Sequence, residues 1–176
     1  MRTSKEYAKK LYRMRKNVYM DGKIVGRDDP RLAQAISVMS RTFDLAEDPK
    51  FKGLITAKSH LTEEEINRFT HTNRSAEDLL NKQKMIRMAC HLTGGCIQRC
   101  MGCDAINALS VMTYELDQSF GTEYYKRFVK FLEHFQKSDL TAAAAQTDVK
   151  GDRSLRPHQQ KDPDLYVHVV EKRNDG

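Results

Sequence analysis

The apolar positions of this chain recur mostly at helical spacing. Residues 4 to 17 form a basic helical stretch, and VYMDGKIV follows, where Asp21-Gly22 between apolar neighbours signals a tight hairpin turn. From Pro30, the residues Leu32, Ile36, Met39 and Phe43 share one helix face until Asp48-Pro49 stops it. Thr62 and Glu65 have capping-box spacing and predict a helix through Phe69. Ser75 is a second N-cap, opening a helix with Leu80, Met85, Met88 and Leu92 along one side. That helix runs up to Gly94-Gly95, a pair that favours a break or a close backbone approach.

After the glycines, Ile97, Met101, Ala105, Ala108 and Met112 form an apolar stripe that ends near Gly121. Thr122 caps the next helix, whose Tyr124, Phe128, Phe131, Leu132 and Phe135 define a strong apolar face. Beyond Ala142 the periodicity stops. QTDVKGDRSLRPHQQKDPD reads as an ordered loop or linker, and LYVHVVEKRNDG alternates as a strand. It finishes on Asp175-Gly176, a hairpin turn without its second strand, so a fragment or one chain of a split protein is expected. The fold class is mainly α, with a short hairpin near the start and a strand at the end.

Composition narrows the partners. At 176 residues the chain suits one main domain. Its uncharged apolar stretches fall short of the roughly 20 residues that a membrane span needs, and MRTSKEYAKK is charged where a signal peptide turns apolar. A cytoplasmic protein without membrane partners is expected. The net charge of +6 is spread along the chain, with one dense run at Lys9, Lys10, Arg13, Arg15 and Lys16 that suits a solvated helix face. A non-enzymatic basic helical module, binding nucleic acid or a partner, stands as an alternative. Against it, the chain has no helix-turn-helix pattern and no interleaving of basic and aromatic residues, and no nucleic-acid partner is expected.

The four cysteines all fall between positions 90 and 103. On a continuous helix Cys96, Cys100 and Cys103 share one face, which Asn107, Ser110 and Tyr114 extend. Cys90 lies before the glycine break. Thiolates are soft ligands for zinc or iron-sulfur clusters, whereas free cysteines also pack as small hydrophobes, and spacing leaves both open. Three cysteines do not complete a four-ligand site, and sequence places no histidine to supply the remainder. CIQRCMGC also has the cysteine spacing of radical S-adenosylmethionine enzymes, but it lies among helices with no parallel-strand pattern.

Several stretches together, KMIRM with CIQRCMGCDAINA, TYELDQSFGTEYYKRF, and TDVKGDR with QKDPDL and VEKRNDG, resemble the 4-hydroxyphenylacetate 3-hydroxylase and 4-hydroxybutyryl-CoA dehydratase superfamily, nearest its dehydratase branch. The resemblance implies the N-terminal helical domain of an acyl-CoA dehydrogenase-like fold over residues 1–145. Residues 146–176 would then be a flavin-contacting loop and the first strand of a following β-domain. It further implies a 4Fe-4S cluster held by Cys96 and Cys100 together with a histidine and a cysteine from elsewhere, leaving Cys90 and Cys103 as non-ligands. FAD would be contacted by Gln146, Thr147, Asp148, Val149, Lys150, Gly151, Asp152 and Arg153. Without the resemblance, that segment reads as a solvated turn of mixed charge.

Arg87 and Gln98 match positions near the family's active site, although on an unbroken helix Gln98 would point about 200° away from Cys96. The implied reaction is the dehydration of 4-hydroxybutyryl-CoA to crotonyl-CoA by a ketyl-radical route, with vinylacetyl-CoA isomerisation. The implied partners are the acyl-CoA substrate, the remainder of the enzyme, and further copies in a homo-oligomer, a tetramer in the family. The chain by itself is expected to be inactive. A reduced-flavin-dependent aromatic hydroxylase of the same superfamily, without a cluster, is the alternative.

Overall fold

The structure is a computed structural model that describes residues 1–144, 152, 154–156 and 159. The chain divides into two compact units, Met1–Ala143 and Ala144–Gly176. The alternating segment expected to form a terminal strand lies outside the described residues.

In the first unit, helix α1 (Ser4–Tyr12) opens on a capping box. Thr3 accepts from the Glu6 amide, and the Glu6 carboxylate accepts from the Thr3 amide. Strands β1 (Val18–Met20) and β2 (Lys23–Val25) then form the expected hairpin, with Asp21 at φ 50° and Gly22 at φ 73° in its turn. Both turn residues are left-handed, as a two-residue hairpin loop requires. A 3-10 turn over Pro30–Leu32 leads into α2 (Ala33–Glu47), which ends at Asp48.

The next segment corrects the sequence-based expectation. In place of a helix from Thr62 through Phe69, a short α3 (Lys52–Ile55) is followed by an antiparallel pair, β3 (Thr56–Lys58) and β4 (Glu65–Asn67), and then a 3-10 turn over Arg68–Thr70. Burial overrides the local cap signal here. Ile66, Asn67, Arg68, Phe69 and Thr70 are consecutive buried residues, which one face of a short helix cannot supply. The Arg68 guanidinium donates to the carbonyls of Leu54 (2.7 Å) and Thr56 (2.6 Å), tying this hairpin to α3.

Helix α4 (Ala76–Thr93) is capped by Ser75, α5 (Cys100–Phe120) stops at left-handed Gly121, and α6 (Tyr124–Lys137) closes the unit. Thr122 does not cap α6 directly. Asp117, reaching over from α5, accepts the amides of Tyr124 (2.8 Å) and Tyr125 (3.0 Å), and the Thr122 hydroxyl donates to the same carboxylate.

Two cores hold these elements. Leu45, Ile55, Phe69, Met85, Ala89, Ile97 and Cys103 form one, and Ile106, Phe128, Leu132 and Phe135 form the other. Complete burial of a side chain of this size contributes roughly 1.5–3 kcal/mol. The buried faces differ from the expected stripes. On α4, Met85 is buried while Leu80 and Leu92 are exposed, and Lys82 turns inward to pair with Asp104 of α5 at 2.6 Å. On α5, Gly102, Cys103 and Ile106 face inward, and Met101 and Met112 face outward. Apolar spacing finds a helix here but not the side that the core takes, because both sides of α4 and α5 carry apolar residues.

Candidate functional site

The loop between α4 and α5 carries Cys96, with Cys90 on α4 before it and Cys100 and Cys103 on α5 after it. Gly94, at φ 74°, ends α4, and its amide and that of Gly95 both donate to the Cys90 carbonyl. This glycine-terminated cap turns the chain out of the helix. Residues 95–99 remain non-helical, with Gln98 at φ 62°, and α5 starts at Cys100. The expectation of one continuous helix face bearing Cys96, Cys100 and Cys103 is therefore corrected: Cys96 stands in the loop, Cys100 is the first residue of α5, and Cys103 is buried in the core.

Even so, the bend brings the first two thiols together. Cys96 is exposed and Cys100 is half-buried, and Cys96 lies close enough to act on the Cys100 thiol. Burial, followed by the proximity of Cys96, pushes the Cys100 thiol above its ordinary pKa. Cys103 is pushed up to about 11 by burial, as suits a thiol that packs as a small hydrophobe. Cys90 is half-buried against the first core.

The left-handed Gln98 also removes the conflict of direction. Gln98 and Cys96 line the same cleft, an apolar space of about 500 Å³ whose other walls include Tyr7 and Leu11 of α1, Val18 of β1, and Ile36 and Met39 of α2. A loop thiol, a side-chain amide and an apolar wall thus meet at one place. Arg87 is exposed on α4 and is not among the residues lining this cleft.

Of the segment matched to flavin contact, residues 146–151 and Arg153 lie outside the described residues. Asp152 is exposed, and its carboxylate accepts from the amide and hydroxyl of Ser154 at 2.9 and 2.7 Å, which lowers its pKa. No group of three or more His, Cys, Asp or Glu side chains is placed to hold a metal ion among the described residues. No helix there is long and apolar enough to cross a membrane.

Sequence reasoning missed the residue between Gln98 and Cys100. Arg99 is 3% exposed, its guanidinium lying 4.4 Å from the ring centre of Phe43 and 5.3 Å from that of Phe69. It donates to Thr42 Oγ1 (3.2 Å) and the Leu140 carbonyl (3.3 Å), and it forms an ion pair with Asp139, itself 1% exposed. Burial lowers the Arg99 pKa, and Asp139 opposes that shift. An arginine in a loop between cysteines reads as a surface residue, and nothing in its local pattern signals burial.

A second buried polar group lies at His60 and His71. Their rings are 6.3 Å apart, and His71 Nε2 is 3.4 Å from Asp78. The contact is within reach but misaligned for a hydrogen bond, and both His71 ring nitrogens, His60 Nδ1 and Thr62 Oγ1 find no hydrogen-bond partner among the described residues.

Residues 3–176 match the model of the family described as 4-hydroxyphenylacetate 3-hydroxylase N terminal. The chain belongs to that family. It is 43% identical over 176 residues to the 4-hydroxybutyryl-CoA dehydratase/vinylacetyl-CoA-Delta-isomerase of Clostridium aminobutyricum, covering 99% of this chain and 36% of that protein. The structure of an oxygen-tolerant archaeal 4-hydroxybutyryl-CoA dehydratase from N. maritimus superposes with a TM-score of 0.86 at 39% identity, over 98% of this chain and 35% of that one.

The oxygenase component of 4-hydroxyphenylacetate 3-monooxygenase, in complex with FAD and 4-hydroxyphenylacetate, superposes at 0.68 with 18% identity, over 99% of this chain and 36% of that one. At that identity the likeness shows the fold. The mainly helical, acyl-CoA dehydrogenase-like fold expected of this family member is the fold it has. The chain spans about a third of the length of these relatives.

Proposed function

We propose that this chain supplies the N-terminal helical part, residues 1–145, of a dehydratase that acts on a 4-hydroxyacyl-CoA thioester. Residues 146–176 would contribute flavin contacts and the start of a following β-domain. The observation that carries this reading is the exposed thiol of Cys96, which lines an apolar cleft together with Gln98 and has Cys100 as a near neighbour. The similarity to a protein named as a dehydratase and isomerase supports it.

The donor set fits an iron-sulfur cluster in part. Two neighbouring thiols, one exposed and one half-buried, are soft donors, and the other two ligands would come from residues beyond this chain. FAD would lie against Gln146–Arg153, where Lys150 and Arg153 supply positive charge for phosphate and Gly151 permits close approach. When bound, the cluster would offer a Lewis-acidic iron for the substrate hydroxyl and the flavin a one-electron carrier, the pair by which a ketyl-radical route makes an unactivated β-hydrogen removable.

The chain's own residues would do the rest. Cys96 and Cys100 hold iron, and the apolar wall excludes water from the acyl chain. The Gln98 amide donates to or accepts from a substrate oxygen, and Arg87 pairs with an anionic part of substrate or flavin. The net reaction removes one water from 4-hydroxybutyryl-CoA to give crotonyl-CoA, with isomerisation of vinylacetyl-CoA at the same site. The working enzyme would be a cytoplasmic homo-oligomer of the assembled protein, and this chain by itself would be inactive.

Anaerobic preparation of the assembled enzyme tests this directly. Iron and acid-labile sulfide should be present and should disappear with Cys96→Ser or Cys100→Ser, together with water elimination. A wild-type enzyme that holds flavin without iron and hydroxylates a phenol would replace the dehydratase reading with that of an aromatic monooxygenase.

A further inference from the structure

Arg99 sits between left-handed Gln98 and Cys100, at the one point where the thiol-bearing loop enters α5. The start of α5 has no side-chain cap, so its first turn is not fixed in the usual way. The Arg99 side chain fixes it instead. Its plane lies against Phe43 of α2 and Phe69 of the 3-10 turn, one terminal nitrogen donates to Thr42, and the other reaches Asp139 and the Leu140 carbonyl.

Asp139 is equally constrained. Its backbone is left-handed at φ 43°, and its second carboxylate oxygen accepts the Arg2 amide at 3.1 Å. Three residues on, the Ala142 carbonyl lies 3.3 Å from where a Cβ on Gly102 would stand, so the 139–142 segment packs directly on the first turn of α5. The same ion pair therefore holds two things in register: the junction between the Cys96 loop and the Cys100 start of α5, and the 139–142 segment.

We propose that Arg99 and Asp139 are positioning residues that hold the Cys96 and Cys100 thiols in the mutual geometry that lets them bind one metal centre jointly. This rests on the metal-holding role given to those thiols in the proposed function. The physical reason is a division of labour. A buried ion pair stabilises a fold little more than apolar side chains of similar volume. A planar guanidinium with fixed donor directions sets orientation in a way that a flexible apolar chain cannot. Groups that orient metal ligands without touching the metal commonly govern affinity.

The test uses the full 176-residue chain, reduced and metal-free, with a trivalent phenylarsenical, which binds two thiols at once and so reads their mutual placement. Wild type should capture it, and Cys96→Ser or Cys100→Ser should abolish capture. The paired replacement Arg99→Met with Asp139→Leu leaves no orphaned charge and should keep the thermal midpoint near that of wild type. It should nevertheless weaken capture by about tenfold to a hundredfold, the range typical when orienting groups of a metal site are removed. Arg99→Lys, which keeps the charge and loses the fork, should weaken capture in the same direction should the paired variant not fold. Unchanged capture in whichever of these variants folds, or a wild-type chain whose capture survives Cys96→Ser, overturns the proposal. Iron content of the assembled wild-type enzyme reports separately on the proposed function, since its absence there leaves the arsenical result standing.

Discussion

The two sides of the first turn of α5 differ in kind. Inward lie Gly102, Cys103 and Ile106, packed against other elements, and just before them the buried Arg99. Outward lie Met101 and Asp104, with Cys96 exposed in the preceding loop, while Cys100 is half-buried against the edge of the first core. Cys100 and Cys103 are three residues apart, yet one thiol is only half-buried and the other is a core atom with its pKa pushed up to about 11. Residue type does not separate an accessible thiol from a packing group. The direction that the helix start imposes does, and a buried arginine, in place of a conventional cap, sets that direction.

The largest effect that can break this contrast comes from the inward anchor. Arg99→Ala leaves Asp139 buried without its partner and should cost about 3–5 kcal/mol, read as a fall in the denaturation midpoint. Gly102→Val is next. An added Cβ already lies 3.3 Å from the Ala142 carbonyl, and the larger side chain should cost about 1–3 kcal/mol. A variant as stable as wild type would show that the 139–142 segment does not hold the turn.

The cysteines sharpen the comparison from both sides. Cys103→Ala should lower stability by about 1 kcal/mol through a small cavity and leave iron content unchanged. Cys96→Ala should leave stability within about 0.5 kcal/mol and remove iron from the assembled enzyme. Reversal of these two patterns would exchange the roles of the two cysteines. In native-state alkylation followed by mass spectrometry, Cys96 should react first and Cys103 only on unfolding.

The smallest effect concerns acid. His60 and His71 have pKa values lowered chiefly by burial. Arg74 adds to both shifts, His71 to that of His60 and Arg68 to that of His71, while Asp78 opposes them. A histidine whose folded pKa lies below its unfolded value of about 6.5 contributes stability that is complete above that pH and is lost as pH falls below it. Urea midpoints should therefore decline from pH 7 to pH 5, and His71→Gln should flatten that decline. An unchanged slope in that variant would remove His71 as a cause.

Much was legible without coordinates. The hairpin at Asp21-Gly22, the Ser75 cap and the stop at Gly94 rest on interactions within a few residues, and each formed where expected; of the α6 face, Phe128, Leu132 and Phe135 are buried while Tyr124 and Phe131 are exposed. The hairpin of β3 and β4 was not legible, because Thr62 and Glu65 present a helix-start pattern while the burial that overrides it comes from other elements. The apolar stripes of α4 and α5 marked helices but not their inner sides, since apolar residues occur on both.

The sequence by itself determined which residues are chemically capable: two adjacent cysteines, a nearby glutamine, and glycines that had to interrupt a helix. Tertiary structure alone decided that the interruption extends past Cys96 as far as Cys100, that Gln98 lines the same cleft as Cys96, and that Arg99 is buried. The reason is range. Caps and tight turns are satisfied by neighbours in sequence, whereas the burial of Arg99 depends on Phe43, Phe69 and Asp139, three residues that only the fold brings to one point.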